Sequence, residues 1–417
     1  TEFILIFQRR ASRRSSLRRG SISTLPTKTH EIPWDILDRL LMPFLFCHAA
    51  SIIISSVLHA FAISTASTFA IFVWFALSTV GAVLFYHFVK VSASGKGVLI
   101  TGCEAPLGWY LAKKLDDIGF TVYAGFSTEI DCDEATILKE ETSGRTKIVH
   151  LDVTSDKSML EAFKYISNHL PYGATGLWAV VHTAHWVALG EVEWIPFAVL
   201  RKSLDLNLLG TARLTQIMLP LIRRANGRIV FLTSALNRVP APARAIQCAT
   251  QAAVESLSNC LRRELRPRGV DVSVVAAGEF SPGNSWLSDF ELREQAKQMW
   301  ASLSDEQKKT YGEDYYEAAM TSIEKHSREI SDIQPAIRVL IDAVSRTFPM
   351  ARYTPVTPSE KIQIFLAEHL PAPPWSGSDR HFFYSSFNLA AVFVFSNSMD
   401  TFQPTWPGAA FLGNFNL

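Results

Sequence analysis

The residues best placed for chemistry follow predicted strands. Segment 101–108 reads Thr-Gly-Cys-Glu-Ala-Pro-Leu-Gly and places a glycine pair, Gly102 and Gly108, between an apolar run and a helical stretch. Glycines in a first strand-to-helix turn let the backbone approach a phosphate, so this turn indicates a dinucleotide site. His182 and His185 follow a later apolar run, and imidazole can act as an acid near neutral pH. The alternative is that both histidines only fill space at the end of a strand.

These residues lie in a region, beginning at Lys96, where short apolar runs alternate with helical stretches. Such alternation predicts βαβ units and a doubly wound parallel sheet, an α/β Rossmann-like fold. Ligands of this fold bind at the carboxyl ends of the strands, where Gly102 and His182 are expected. The predicted strands are 98–100, 121–124, 148–151, 177–181, 228–232 and 272–275, and the predicted helices include 107–118, 156–169, 197–224 and 244–266.

With these motifs the chain resembles the short-chain dehydrogenase/reductase family, whose nucleotide turn reads Thr-Gly-x-x-x-Gly-x-Gly. The resemblance covers about 97–370 and is closest to the membrane-associated branch that contains D-3-hydroxybutyrate, retinol and 17β-hydroxysteroid dehydrogenases. It implies that Asp152 holds adenine, that Asn207 orders a catalytic water, and that Ser234 is catalytic. The cofactor-binding positions that it implies are Gly102, Gly108, Asp152, Ala184 and Gly278. Each polar residue also has a structural alternative: Asp152 caps a turn, and Asn207 and Ser234 are structural hydrogen-bonders.

The family's catalytic Tyr and Lys are replaced. Counting thirteen residues from Ser234 gives Gln247, and four further gives Gln251. In the family, the Tyr is the general acid/base, and the Lys holds the nicotinamide ribose and lowers the pKa of the Tyr. An amide neither titrates near neutrality nor carries charge. The sequence therefore predicts a catalytically impaired homologue, a pseudoenzyme.

The cofactor site departs from the family pattern as well. Pro106 replaces the middle glycine and removes an N–H donor. The family's Asn-Asn-Ala-Gly is here 182–185, His-Thr-Ala-His, so His185 stands where a glycine gives the nucleotide room. Dinucleotide binding is therefore doubtful. If one binds, it is expected to be NAD rather than NADP, because 125–127 offers no cation for a 2′-phosphate.

A membrane anchor is predicted ahead of this domain. No Asp, Glu, Lys or Arg occurs between Arg39 and Lys90, and about 20 apolar residues suffice to span a bilayer. The anchor, 36–90, divides into two helices of about 40–61 and 66–88, with one span plus a buried or interfacial helix as the alternative. Both flanks are basic, so the positive-inside rule places both ends in the cytosol or the matrix. The mitochondrial inner membrane and the endoplasmic reticulum are the expected locations.

Composition narrows the function classes. The 417 residues carry 40 Lys plus Arg against 39 Asp plus Glu, so no basic field favours nucleic acid. Five scattered cysteines suggest neither a disulfide framework nor a zinc site. The chain is 48% hydrophobic, and the uncharged run and an aromatic tail account for the excess.

Three further segments carry expectations. The basic, Ser/Arg-rich segment 1–35 is a transit segment, a lipid-contacting arm or a solvated tail. Aromatic residues within 284–330 either line a pocket for an apolar ligand or pack the cap helices. The aromatic tail 371–417 is an interfacial, partner-contacting or subunit-contacting segment.

The sequence thus predicts a membrane-anchored homologue that binds the lipid bilayer, assembles as a homo-oligomer, and takes an apolar small molecule or a protein partner. The alternative function is an active NAD-dependent oxidoreductase acting on a hydroxy acid, steroid or retinoid alcohol. A scaffold with neither ligand nor cofactor is the third possibility.

Overall fold

A computed structural model describes residues 34–63, 67–128, 132–187, 190–239, 244–278, 289–317 and 333–369. The basic segment 1–33, part of the cap and the tail from 370 lie outside these ranges, as do the predictions made for them. By their contacts, the described residues up to Glu368 belong to one compact unit.

A parallel sheet forms the centre of this unit. Its seven strands lie in the order β3-β2-β1-β4-β5-β6-β7, and every neighbouring pair is parallel. This confirms the predicted Rossmann-like fold and its six strands; β7 was not predicted as a strand. The strands are β1 Gly97–Ile100, β2 Thr121–Phe126, β3 Thr146–His150, β4 Ala179–His182, β5 Arg228–Ser234, β6 Asp271–Ala277 and β7 Arg352–Tyr353.

Helices cover both faces of the sheet. Their bounds agree with prediction within two residues at three of the four predicted helices, but 197–224 is interrupted by a π-helical turn, Asp205–Gly210. Within the described residues, the helices of the domain include α3 Pro106–Ile118, α4 Asp133–Glu140, α5 Asp156–Asn168, α6 Phe197–Leu204, α7 Thr211–Arg224, α8 Ala245–Leu265, α9 Asp289–Ala301, α10 Asp305–Tyr311, α11 Gln334–Ser345 and α12 Pro358–His369.

The strand sequences explain why the sheet is buried on both faces. The strands are nearly continuous apolar runs, as expected when helices cover both sides of a parallel sheet. Val98 and Ile100 pack on one face with α3 and α11, whereas Leu99 packs on the other with α5 and α7. Two hydrophobic cores therefore hold the carboxyl ends of the strands at a common edge.

Two apolar helices precede the domain, α1 Trp34–Ala60 and α2 Thr68–Phe88. They pack side by side in opposite directions, with Thr68 Oγ1 donating to Ser55 Oγ at 2.9 Å and Cys47 Sγ lying 3.1 Å from Thr79 Oγ1. Segments Leu40–Ala60 and Thr68–Phe88 have the length and apolar composition that a membrane span requires. The first helix begins at Trp34, earlier than the predicted residue 40. The prediction started after the charged residues, whereas the helix includes them in its first turns.

Candidate active site

The glycine turn after β1 keeps its tight geometry. Gly102 has φ +70°, a conformation that glycine adopts readily, and a Cβ there would lie 2.8 Å from the Ala184 Cα. A Cβ on Gly108 would lie 2.6 Å from the Gly102 carbonyl oxygen, so this glycine allows α3 to approach the turn. Pro106 is the first residue of α3, where a missing N–H does not disturb the helix. The turn is retained although one phosphate-binding donor is gone.

Thr101 joins this turn to the loop that follows β4. Its hydroxyl oxygen accepts from the backbone N–H groups of Thr183, at 3.1 Å, and Ala184, at 3.0 Å. The Thr183 hydroxyl donates in return to the Thr101 carbonyl. These contacts hold the backbone of Thr183 and Ala184, the two residues that precede His185.

His185, Gln251 and Ser234 form one hydrogen-bonded group. The Gln251 Oε1 accepts from the Ser234 backbone N–H at 3.2 Å. This donor orients the amide, so its Nε2 faces the His185 ring and lies 2.7 Å from Nδ1. Both His185 and Gln251 are buried. His185 and Gln251, which the sequence predicts at the family's glycine and lysine positions, therefore satisfy each other's polar groups.

The environment keeps His185 neutral. Burial lowers its pKa to about 4, although a hydrogen bond with the Asn207 side chain acts in the opposite direction. The Gln251 amide donates to Nδ1, which requires an unprotonated ring nitrogen there. At neutral pH the imidazole has no acidic proton of suitable pKa to pass to a substrate oxygen.

His182 has a structural position. Its Nε2 lies 3.0 Å from the Thr215 hydroxyl oxygen, and its ring stacks on Phe231 with centroids 4.9 Å apart. Burial lowers its pKa to about 3. His182 therefore fits the alternative that the sequence left open, a histidine that fills space at the end of a strand.

Asn207 lies inside the π-helical turn and holds the loop after β4. Its Oδ1 accepts from the Trp186 N–H and its Nδ2 donates to the Trp186 carbonyl, both at 2.8 Å. The Nδ2 also lies 3.2 Å from the Ser203 Oγ. Single π turns are frequent at functional sites, but here the amide holds backbone on both of its polar atoms.

The remaining predicted positions are spread around this centre. The Asp152 Oδ1 accepts from the Thr154 N–H at 2.8 Å and from its hydroxyl at 2.7 Å, so the carboxylate caps a turn. Gln247 is half-buried one helical turn before Gln251. A Cβ on Gly278 would lie 2.6 Å from a Glu360 carboxylate oxygen, so this glycine accommodates α12. The structure brings Gln251, Ser234, His185 and Ala184 together most closely.

Sequence reasoning missed Glu104. Its Oε1 accepts from the Ser127 N–H at 3.2 Å and from the Ser127 hydroxyl, joining the glycine turn to the end of β2. Burial raises the pKa of Glu104, against the hydrogen bonds from Ser127. An acidic residue within a phosphate-binding turn was the available signal.

An ion network on α8 was also missed. The Glu255 carboxylate pairs with Arg238 and Arg352, and Arg238 pairs in turn with Glu368. Glu255 follows Gln251 by four residues and so lies on the same face of α8. This network ties the segment after Ser234 to β7 and α12. The spacing of Gln247, Gln251 and Glu255 was the readable signal.

The described aromatic residues of the cap pack on one another. Trp300 meets Trp194, which lies in the connection after β4, edge to face at 5.2 Å, and Trp300 stacks on Tyr316 at 4.7 Å. The Tyr311 and Tyr315 hydroxyls donate to the Glu193 and Glu191 carboxylates, each at 2.7 Å. The sequence left two roles for the aromatic residues of this region, lining a pocket for an apolar ligand or packing the cap helices. The contacts of the described residues fit the second role.

A doubly wound parallel sheet with a glycine turn after its first strand defines the class of Rossmann-type α/β domains. Residues 96–287 match the short chain dehydrogenase family, and the chain belongs to the short-chain dehydrogenase/reductase family. It is 34% identical over 283 residues to D-beta-hydroxybutyrate dehydrogenase, mitochondrial, of Rattus norvegicus, covering 67% of this chain and 82% of the relative.

Two further similarities agree with this assignment. The chain is 34% identical over 270 residues to 11-beta-hydroxysteroid dehydrogenase type 2 of Oryctolagus cuniculus, covering 64% of this chain and 65% of the relative. A solved short-chain dehydrogenase from Streptomyces avermitilis is 20% identical, with a TM-score of 0.52, and covers 74% of this chain and 99% of its own. At that identity the solved structure supports the fold alone.

Proposed function

We propose that this chain is a membrane-anchored short-chain dehydrogenase homologue that has lost efficient hydride-transfer catalysis and uses its Rossmann domain for binding. The observation that carries the proposal is the position of Gln251. Its amide bonds the Ser234 backbone and the His185 ring, so the group in the family's Lys position is neutral and already engaged.

The replacements remove two contributions to the rate. General acid–base catalysis is worth about 10²–10⁴-fold, and neither Gln247 nor Gln251 exchanges a proton near neutral pH. The missing lysine also removes positive charge from the place where an alkoxide develops, a contribution of several kcal/mol in well-organised sites. Ser234 and Asn207 alone supply neither a general acid nor a cation.

His185 does not substitute for the missing acid. With a pKa of about 4, fewer than about 1% of the molecules carry an imidazolium at pH 7. The alternative function, an active NAD-dependent oxidoreductase with an unorthodox acid, therefore loses its best candidate residue.

The fit to a dinucleotide differs between the two halves of the site. The glycine turn keeps the geometry that admits a pyrophosphate at a helix N-terminus, less the donor lost at Pro106. The other half is filled, because the His185 ring and the Gln251 amide are buried together where the resemblance places the nicotinamide ribose. These residues do not fit the nicotinamide end of NAD.

The proposal includes an anchor. Two apolar helices of spanning length support a hairpin in the bilayer, and basic flanks support a domain in the cytosol or matrix. The mitochondrial inner membrane and the endoplasmic reticulum remain the two proposed locations. Self-association is proposed as well, since Phe197 and Leu209 on the α6–π segment are 75% and 57% exposed.

A turnover assay tests the proposal. The full chain in bilayer nanodiscs is supplied with NAD and, in turn, with 3-hydroxybutyrate, retinol and a 17β-hydroxysteroid, and NADH formation is followed by absorbance. We expect no turnover above the protein-free rate. Robust oxidation that disappears in Ser234→Ala would contradict the loss of catalysis, and the same variant controls for a contaminating enzyme.

A further inference from the structure

A partly buried polar cluster joins the second apolar helix to the domain. The Arg346 guanidinium nitrogens lie 2.8 Å from the ring nitrogens of His87, and one of them also lies 2.7 Å from the Asp342 Oδ2. Lys90 Nζ lies 3.0 Å from the same carboxylate. His87 and Arg346 are buried. These four residues, 87, 90, 342 and 346, are called the clamp below.

Backbone hydrogen bonds and a ring contact join the same two segments of the chain beside the clamp. The Val91 N–H donates to the Ser345 carbonyl at 2.7 Å, and the Thr347 N–H donates to the Val89 carbonyl at 3.0 Å. Tyr86 packs edge to face on Phe348 with centroids 5.0 Å apart. The chain leaving α2 is thus paired with the segment after α11 instead of passing into a free linker.

The clamp lies at the amino-terminal edge of the sheet. The Arg228 guanidinium, on the first residue of β5, donates to the Arg346 carbonyl at 2.7 Å and to the Val344 carbonyl at 3.1 Å. The last residue of the same strand is Ser234. Six steps of about 3.3 Å separate the clamp end of β5 from the candidate active site, roughly 20 Å along the strand.

We infer that the candidate active site opens on the side of the domain remote from the bilayer and takes a water-soluble ligand from the aqueous compartment. The inference rests on the proposed membrane anchor. Because all the strands are parallel, the whole carboxyl edge lies opposite the edge that the clamp holds.

The distance between the candidate active site and the bilayer favours a water-soluble ligand over one dissolved in the bilayer. A steroid or retinoid dissolved in the bilayer would have to expose its apolar surface to water over that distance, at about 25 cal/mol per Å². Trp300 and Tyr316 of the cap do not offset this cost, because they already pack on each other and on Trp194. A small polar molecule pays no such penalty. We therefore replace the expectation of an apolar ligand by a water-soluble one.

Energy transfer to the bilayer surface tests the orientation. The full chain, with Cys132, Cys248 and Cys260 changed to Ser, is reconstituted in nanodiscs that contain an acceptor-labelled phospholipid. One donor is attached at Tyr172→Cys, a fully exposed residue before β4 whose carbonyl lies beside Gly95. The other is attached at Val192→Cys, 56% exposed in the connection after β4. Quenching by aqueous iodide controls for equal exposure of both labels.

We expect transfer from position 172 to be at least twofold more efficient than from position 192, and the label at 192 to be quenched by iodide but not by nitroxide lipids. Equal or reversed efficiencies would overturn the inference while leaving the anchor intact. Absence of transfer at both positions, in nanodiscs that retain the protein, would overturn the membrane anchor and this inference with it.

Discussion

At the scale of residues, the candidate active site is a set of matched replacements. The resemblance places Gln251 at the family's lysine position and His185 at a glycine position, and the Gln251 Nε2 lies 2.7 Å from the His185 Nδ1. Both side chains are neutral and hydrogen-bonded, so their burial costs little free energy. A lysine at the same position would bury an unpaired charge beside the imidazole, which is costly. On the proposed function, this pair therefore stabilises the domain without supplying a catalytic group.

The buried histidines predict a pH dependence of stability. An unfolded histidine has a pKa near 6.5, whereas His182 and His185 have folded-state values of about 3 and about 4. The unfolded chain thus binds more protons as the pH falls below about 6.5, and the free energy of unfolding decreases. At pH 5 each histidine is expected to lower it by about 2 kcal/mol.

Chemical denaturation of the full chain in nanodiscs at pH 7 and pH 5, followed by near-ultraviolet circular dichroism, measures this loss. The matched control is His182→Asn combined with His185→Gln, which removes both titrations. Identical pH dependence of the wild type and the control would show that these rings are not buried as neutral groups.

At the scale of elements, the long helix after β4 departs from regular geometry. Its π turn, Asp205–Gly210, sets Asn207 against the Trp186 backbone and brings Gly210 against Val153. Sequence periodicity predicted one continuous helix over 197–224, because a single π turn leaves no mark in the apolar pattern. In the sequence, Gly210 is the residue that could have indicated the π turn.

Gly210→Ala tests this close approach. Alanine in a helix normally gains about 0.5–1 kcal/mol over glycine, but the added methyl would overlap the Val153 carbonyl oxygen. We expect a net destabilisation of about 1–3 kcal/mol, as for overpacked sites. Gly81→Ala is the matched control, since a Cβ there meets nothing within 4 Å. Equal effects of the two substitutions in denaturation would contradict the tight packing.

At the scale of the whole molecule, the sequence was informative where apolar patterns are strong. Six strands and both apolar helices follow from runs such as 98–100 and 40–60, since burial on both faces or a membrane environment leaves a continuous signal. The Arg346–His87 contact did not follow, because its partners are 259 residues apart. The Glu104–Ser127 bridge likewise joins two turns whose proximity only the sheet order creates.

The sequence predicted the positions of the candidate site residues but not the contacts between them. Counting from Ser234 located Gln251, because the family spacing is fixed by one helix face. Its pairing with His185 required the positions of β4 and α8 relative to each other, which no local pattern states. The proposed loss of catalysis thus rests on a contact between the loop after β4 and α8. The proposed anchor rests on the apolar pattern within each of two helices.

The most direct test is a titration of the full chain in nanodiscs with NADH, followed by energy transfer from tryptophan. The wild type is expected to show no saturable binding in the micromolar range. Gln247→Tyr with Gln251→Lys and His185→Gly, which restores the family residues and the space, is expected to bind. His185→Gly alone is a second variant in case the triple change misfolds, and His185→Gln, which keeps the bulk, is the control. Micromolar binding of NADH by the wild type, unchanged in these variants, would contradict the account.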